Sequence, residues 1–124
     1  GTFSMPITNG ANNGKALIII GTGTATNLYD STTHTFSVGP NLSGSASNIS
    51  PSSHLLLMNG TNKDKYLVMH DTTSSIYDPN TNTISAGLAI PNGGSLAFNI
   101  TSGLFNQGVL LITGSGNLTN VVYP

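Results

Sequence analysis

A tyrosine-centred cassette recurs through this chain: Leu28-Tyr29-Asp30, then Ile76-Tyr77-Asp78-Pro79, then Val122-Tyr123-Pro124. The tyrosines stand 48 and 46 residues apart. A short apolar run precedes each of them, at Ala16 to Ile20, Tyr66 to Met69 and Val109 to Ile112. Matching tails follow the first two, Thr35-Phe36-Ser37-Val38-Gly39 and Thr83-Ile84-Ser85-Ala86-Gly87. A chain that repeats in this way folds as one unit built several times, each unit burying its faces against its neighbours.

Helix is disfavoured throughout. Of 124 residues only 6% are charged, against about 25% in ordinary soluble proteins. Glu and Arg are absent, and the charges are Lys15, Lys63, Lys65, Asp30, Asp64, Asp71 and Asp78. Asn, Ser, Thr and Gly take their place. Ser, Thr and Asn compete for backbone hydrogen bonds, and Gly costs about 1 kcal/mol per helical position relative to Ala. An all-β chain is therefore expected.

Each unit divides into antiparallel strands. In the second copy, His54 to Asn59, Lys65 to His70, Ser74 to Tyr77 and Thr83 to Leu88 read as strands a to d. Between c and d lies Asp78-Pro79-Asn80-Thr81-Asn82, a run of turn-forming residues. The first copy matches at Thr2 to Thr8, Lys15 to Ile20, Thr26 to Tyr29 and His34 to Val38. The third runs Ser95 to Thr101, Gly108 to Thr113 and Leu118 to Tyr123, and has no strand d. Asn9-Gly10, Asn59-Gly60 and Ser102-Gly103 fall in register between a and b, where Gly supplies the positive φ of a reversal. Strand b is the continuous apolar run, so it is expected to be buried on both faces. A period in the forties with four strands per unit is the pattern of a β-propeller blade. The blades are expected at about 1–44, 48–90 and 93–124, the third without its outer strand.

The string Gly14-Lys15-Ala16-Leu17-Ile18-Ile19-Ile20-Gly21, continued by Asn27-Leu28-Tyr29-Asp30 and Thr35-Phe36-Ser37, resembles a kelch repeat of the bacterial, galactose-oxidase-like variety. The turn Tyr77-Asp78-Pro79-Asn80-Thr81-Asn82-Thr83 fits the same pattern, and the resemblance spans essentially the whole chain. It is divergent. The family's glycine pair corresponds to Gly21-Thr22-Gly23 in the first copy, His70-Asp71 in the second and Thr113-Gly114 in the third. Its strand-d Trp is replaced by Phe36 or Ile84. The resemblance implies kelch-type blades in which Tyr29, Asp30, Tyr77, Asp78, Tyr123, Gly21, Gly23 and Gly114 are structural repeat positions. Propellers close with four to eight blades. Two blades and most of a third form either an excerpt of a longer propeller or a unit completed by a partner's strand. The first residue, Gly1, is not Met, which points to a processed, trimmed or partial chain.

The residues argue against most chemistry. Clustered Lys or Arg is lacking, which argues against nucleic acid as a partner. Cysteine is absent, so there is neither a disulfide framework nor thiol chemistry. No apolar run approaches the roughly 20 residues of a membrane span, and there is no secretory apolar region. Gly21-Thr22-Gly23 lacks the third glycine and following helix of a dinucleotide site. His34, His54 and His70 lie on different strands, so no metal set is expected. His70-Asp71 is the one local pair in which a carboxylate stands beside an imidazole. Asp30 and Asp78 are equivalent turn residues and do not make an acid–base pair. No catalytic, cofactor-binding or metal-binding residue is expected. Asn41, Asn48, Asn59, Asn99 and Asn117 head Asn-x-Ser/Thr sequons open to glycosylation in a secretory setting.

Three functions follow as expectations. The first is a non-catalytic binding or scaffold module, extracellular or at the cell surface. It would contact protein or glycan through the loops that link units, Asn41 to Ser53 and Leu88 to Gly94. The second is a structural subunit that assembles with further copies of itself by completing the unfinished blade. The third is the non-catalytic portion of a galactose-oxidase-like enzyme.

Overall fold

The computed structural model describes residues 2–46, 54–70, 72–90, 94–113 and 119–124. Its elements are all strands: β1 Phe3–Pro6, β2 Lys15–Ile19, β3 Thr26–Asp30, β4 Thr35–Val38, β5 His54–Leu56, β6 Tyr66–His70, β7 Thr73–Asp78, β8 Thr83–Ala86, β9 Gly94–Asn99, β10 Val109–Thr113 and β11 Thr119–Val122. They form three separate antiparallel meanders, β1-β2-β3-β4, β5-β6-β7-β8 and β9-β10-β11, and no sheet closes on itself. Among the described residues no helix is long and apolar enough to cross a membrane.

The turns repeat bond for bond. Between the first two strands of each sheet, Ile7 N–H donates to Lys15 O, Leu57 to Lys65 O and Ile100 to Gly108 O, at 2.9, 2.8 and 2.8 Å. Gly10, Gly60 and Gly103 take φ of 69°, 77° and 80° there. The loop has a second left-handed position, which falls on Gly14, Asp64 and Gln107 (φ 86°, 66° and 71°). Between the third and fourth strands, Asp30 Oδ1 accepts from Thr32 N–H and Asp78 Oδ1 from Asn80 N–H, both at 2.9 Å. The tyrosine preceding each aspartate reaches the left-handed residue of its turn. Tyr29 Oη lies 3.1 Å from His34 Nδ1, and Tyr77 Oη donates to Asn82 Oδ1 at 3.1 Å. Lys15 and Lys65 pair with those aspartates at 3.9 and 3.7 Å. Gly39 and Gly87 end the tails because a Cβ at either would overlap the hydroxyl of Thr26 or Ser74.

Strand register assigns the faces, since cross-strand partners share a face and neighbours along a strand alternate. In the first sheet Phe3↔Ile19, Met5↔Leu17 and Leu17↔Leu28 make a front face, while Ala16↔Tyr29 and Tyr29↔Phe36 lie behind. In the second, Leu55↔Leu67 and Leu67↔Ile76 are the front, and Tyr66↔Tyr77 and Tyr77↔Ile84 the back. The front of the first sheet packs on the back of the second: Phe3, Met5, Leu17, Ile19 and Leu28 join Tyr66, Val68 and Tyr77 in one core. The front of the second packs on the back of the third: Leu67, Met69 and Ile76 join Ala97, Val109 and Leu111 in the other. The stack is directional. Full burial of one such Leu or Ile contributes roughly 1.5–3 kcal/mol, so these two cores carry most of the stability.

Two expectations need correction. Burial of strand b on both sides holds only for β6, all five residues of which are buried. β2 buries Leu17 and Ile19 and leaves Ala16 and Ile18 partly exposed, because no described residue covers the back of the first sheet. β10 is likewise half covered, with Val109 and Leu111 buried and Leu110 partly exposed. Tyr123, in turn, is out of phase with the other two tyrosines. Val109 pairs with Val122 as Tyr66 pairs with Tyr77, so Val122 holds the tyrosine position and Tyr123 that of Asp78. Tyr123 therefore faces Gly108, where the first two copies place a Lys–Asp pair. A Cβ on Gly108 would come within 3.3 Å of the Tyr123 ring.

Candidate interaction surfaces

Polar side chains at the seams tie one sheet to the next. Thr8 N–H donates to Tyr66 Oη at 2.8 Å across the first seam. The equivalent donor at the second seam, Met58 N–H, is met by Asn99 Oδ1 at 3.3 Å, while Asn99 Nδ2 donates to Leu56 O at 2.8 Å. Different residues thus satisfy the same backbone donor, which is why Val109 can stand in the place of Tyr66. The loop of the first sheet reaches the turn of the second, with Asn12 N–H and Nδ2 donating to Pro79 O and Ala11 N–H to Asn80 Oδ1.

A buried histidine cluster closes one end of the first seam. His70 Nε2 lies 2.8 Å from Ser75 Oγ, which is 2.8 Å from Ser43 Oγ and accepts from Ser43 N–H at 3.0 Å. Ser43 Oγ donates to Ser74 O at 3.0 Å, and Thr73 Oγ1 lies 2.9 Å from His70 Nδ1. Ser43 Oγ has one proton and two acceptors within reach, Ser74 O and Ser75 Oγ, so the tautomer of His70 decides how the protons run along the chain of hydroxyls. His70 and Ser75 are wholly buried. The cluster fastens Ser43 to the second sheet. Its serines and threonine carry no periodic signal in the sequence, and Asp71, which stands beside His70 in the sequence, lies outside the described residues.

The other anticipated residues are spread over the molecule. His34 sits in an exposed turn, and His54 packs on Phe3 across the first seam with ring centres 5.1 Å apart. Among the described residues no three His, Asp or Glu converge on a common point. Gly23 takes φ of 96° in the bend before β3; Gly114 lies outside the described residues. Of the sequons, Asn41 is exposed, Asn59 is partly exposed in a loop, and the Asn99 amide is engaged across the second seam. Asn48 and Asn117 lie outside the described residues.

Burial raises the Tyr77 phenol to about 12, with Tyr66 and Asp78 adding to the effect. The hydroxyl stays neutral and serves as a donor.

Two open sheet faces and a cleft remain. The back of the first sheet exposes Phe36 at 67% and Val38 at 86%. The front of the third exposes Phe98 at 49%, and the loop beside it exposes Leu104 at 90% and Phe105 at 51%. A shallow cleft lined by Asn62, Ile76, Ala86, Gly87, Leu88 and Pro124 opens next to β8, on the side where the third sheet ends at β11. Large apolar side chains grouped on a surface mark contact sites. The chain matches no protein-family model, no curated protein and no solved structure.

Proposed function

We propose that this chain is a non-catalytic binding or scaffold module, part of a kelch-like β-propeller at the cell surface or outside the cell. Its sheets are the blades, and the segments that link them contact a protein or glycan. The supporting observation is the contrast between frame and links. The three sheets share the hydrogen bonds of their first turn position by position, whereas the links at residues 39–53 and 87–93 begin alike, with matching bonds from Gly39 and Gly87 and from Leu42 and Ile90, and beyond these differ in length and sequence. A rigid repeated frame carrying variable connections is the usual arrangement for recognition. The low charge suits a neutral glycan or protein surface better than a polyanion. The test is a glycan array and a panel of purified ectodomains, probed with the chain and with a variant whose 39–53 link is replaced by the 87–93 link. Binding that is lost in the exchanged variant, with its β spectrum intact, supports the reading; no binding by either protein refutes it.

A second reading, a structural subunit that assembles with copies of itself, is favoured by the two open faces and by β11, which ends its sheet with no fourth strand among the described residues. An unpaired edge of this kind accepts a strand from another chain.

A further inference from the structure

We propose that the front of the third sheet and the back of the first are the two halves of a single interface, and that a second copy of this chain occupies it. Copies would then dock head to tail through sheet faces, with no need for strand exchange at an edge. The inference concerns the ends of the stack and does not depend on what the links bind.

The pairing rule is already present twice inside the chain, where a front face meets the back face of the next sheet. The unpaired front follows the same rule position by position. Leu110, Ile112 and Val121 hold the places that Leu67, Met69 and Ile76 hold in the second sheet, as the shared loop hydrogen bonds and strand register establish. Phe98 holds the place of Leu55. A face meant for water would carry polar residues at such positions. From Pro79 to the end of the chain there is no charged residue, so the third sheet lacks the charges that usually keep an open sheet from associating.

The unpaired back is equally matched. Tyr29 and Phe36 of the first sheet hold the places of Tyr77 and Ile84, which are packed in the first seam. Ile18 holds that of Val68.

The loop of the third sheet supplies an independent sign. Leu104 and Phe105 occupy the positions of Ala11 and Asn12, the residues that touch the turn of the next sheet. Both are large, apolar and exposed. Docking would set them against the turn at Ser31 and Thr32 of the second copy. A front that meets an unlike back is a heterologous contact, which closes into a ring when the rotation permits.

The test is sedimentation velocity of the 124-residue chain over a rising concentration series, together with Phe98→Lys on the front and Phe36→Lys on the back. Both side chains are substantially exposed, and circular dichroism checks that each variant folds. Leu104→Ser and Val38→Ser form a second, milder pair. The native chain is expected to dimerise, and each lysine variant alone to associate about 30-fold or more weakly, the effect of losing a central anchor. An equimolar mixture of the two lysine variants should regain a dimer, because each retains the face that the other lacks. A native chain that stays monomeric would overturn the proposal. So would variants that dimerise undiminished on their own, or a mixture that remains monomeric while the native chain dimerises.

Discussion

Leu17, Leu67 and Leu110 hold one repeat position in three sheets, and they are expected to differ sharply when each is cut to Ala. Leu17 and Leu67 are 0% exposed, the first within the seam between sheets one and two, the second within the seam between sheets two and three. Removing three carbons from a sealed core loses their transfer free energy and leaves a void, about 3 kcal/mol at each site. Leu110 lies on the open front of the third sheet, partly exposed, where water fills the space a shortened side chain leaves. Its loss is about 1 kcal/mol. With a urea dependence of about 2 kcal/mol per molar, the midpoints fall by about 1.5 M for the first two variants and about 0.5 M for the third. Far-ultraviolet circular dichroism in urea, at a concentration low enough to hold the chain monomeric, reads all three. Equal losses would mean that Leu110 is covered within a single chain, and the open front would be refuted. A small loss at Leu17 would mean that the first and second sheets do not pack as described.

Three further outcomes are expected. Gln107→Gly should stabilise by about 0.5–1 kcal/mol, because φ of 71° strains an exposed L-residue and Gly14 fills the same position in the first loop; a lowered thermal midpoint would contradict this. Ser75→Ala should cost about 2 kcal/mol by removing the oxygen bonded to His70 Nε2, Ser43 N–H and Ser43 Oγ, and urea titration checks it. Stability should also fall at alkaline pH. The Tyr77 phenol titrates near 10 when unfolded and near 12 when folded, so its contribution is complete below pH 10 and is lost as pH rises through about 12. Tyr77→Phe should flatten that fall in the urea midpoint between pH 10 and 12.

Local structure was legible in the chain because it depends on local chemistry. The absence of Glu and Arg, with the wealth of Ser, Thr, Asn and Gly, pointed to strands, and the structure is all β with no helix among the described residues. Asn9-Gly10, Asn59-Gly60 and Ser102-Gly103 marked reversals that do take positive φ. The repeated Tyr-Asp placed two turns, since a tyrosine and an Asx turn need only neighbours within a few residues.

Other features depended on contacts between sheets, to which a sequence pattern is blind. The runs at β2, β6 and β10 are similarly apolar, and only stacking order makes β6 buried on both sides while β2 and β10 each show a face to solvent. The third tyrosine kept the spacing of the repeat but not its phase, because backbone pairing with Val109 fixes which residue occupies a position. The His70 cluster draws Ser43 to residues more than thirty positions away, with no shared motif to announce it. Turns and strand type follow from the chain's own neighbours, whereas seams, polarity and open faces follow from which sheet lies against which.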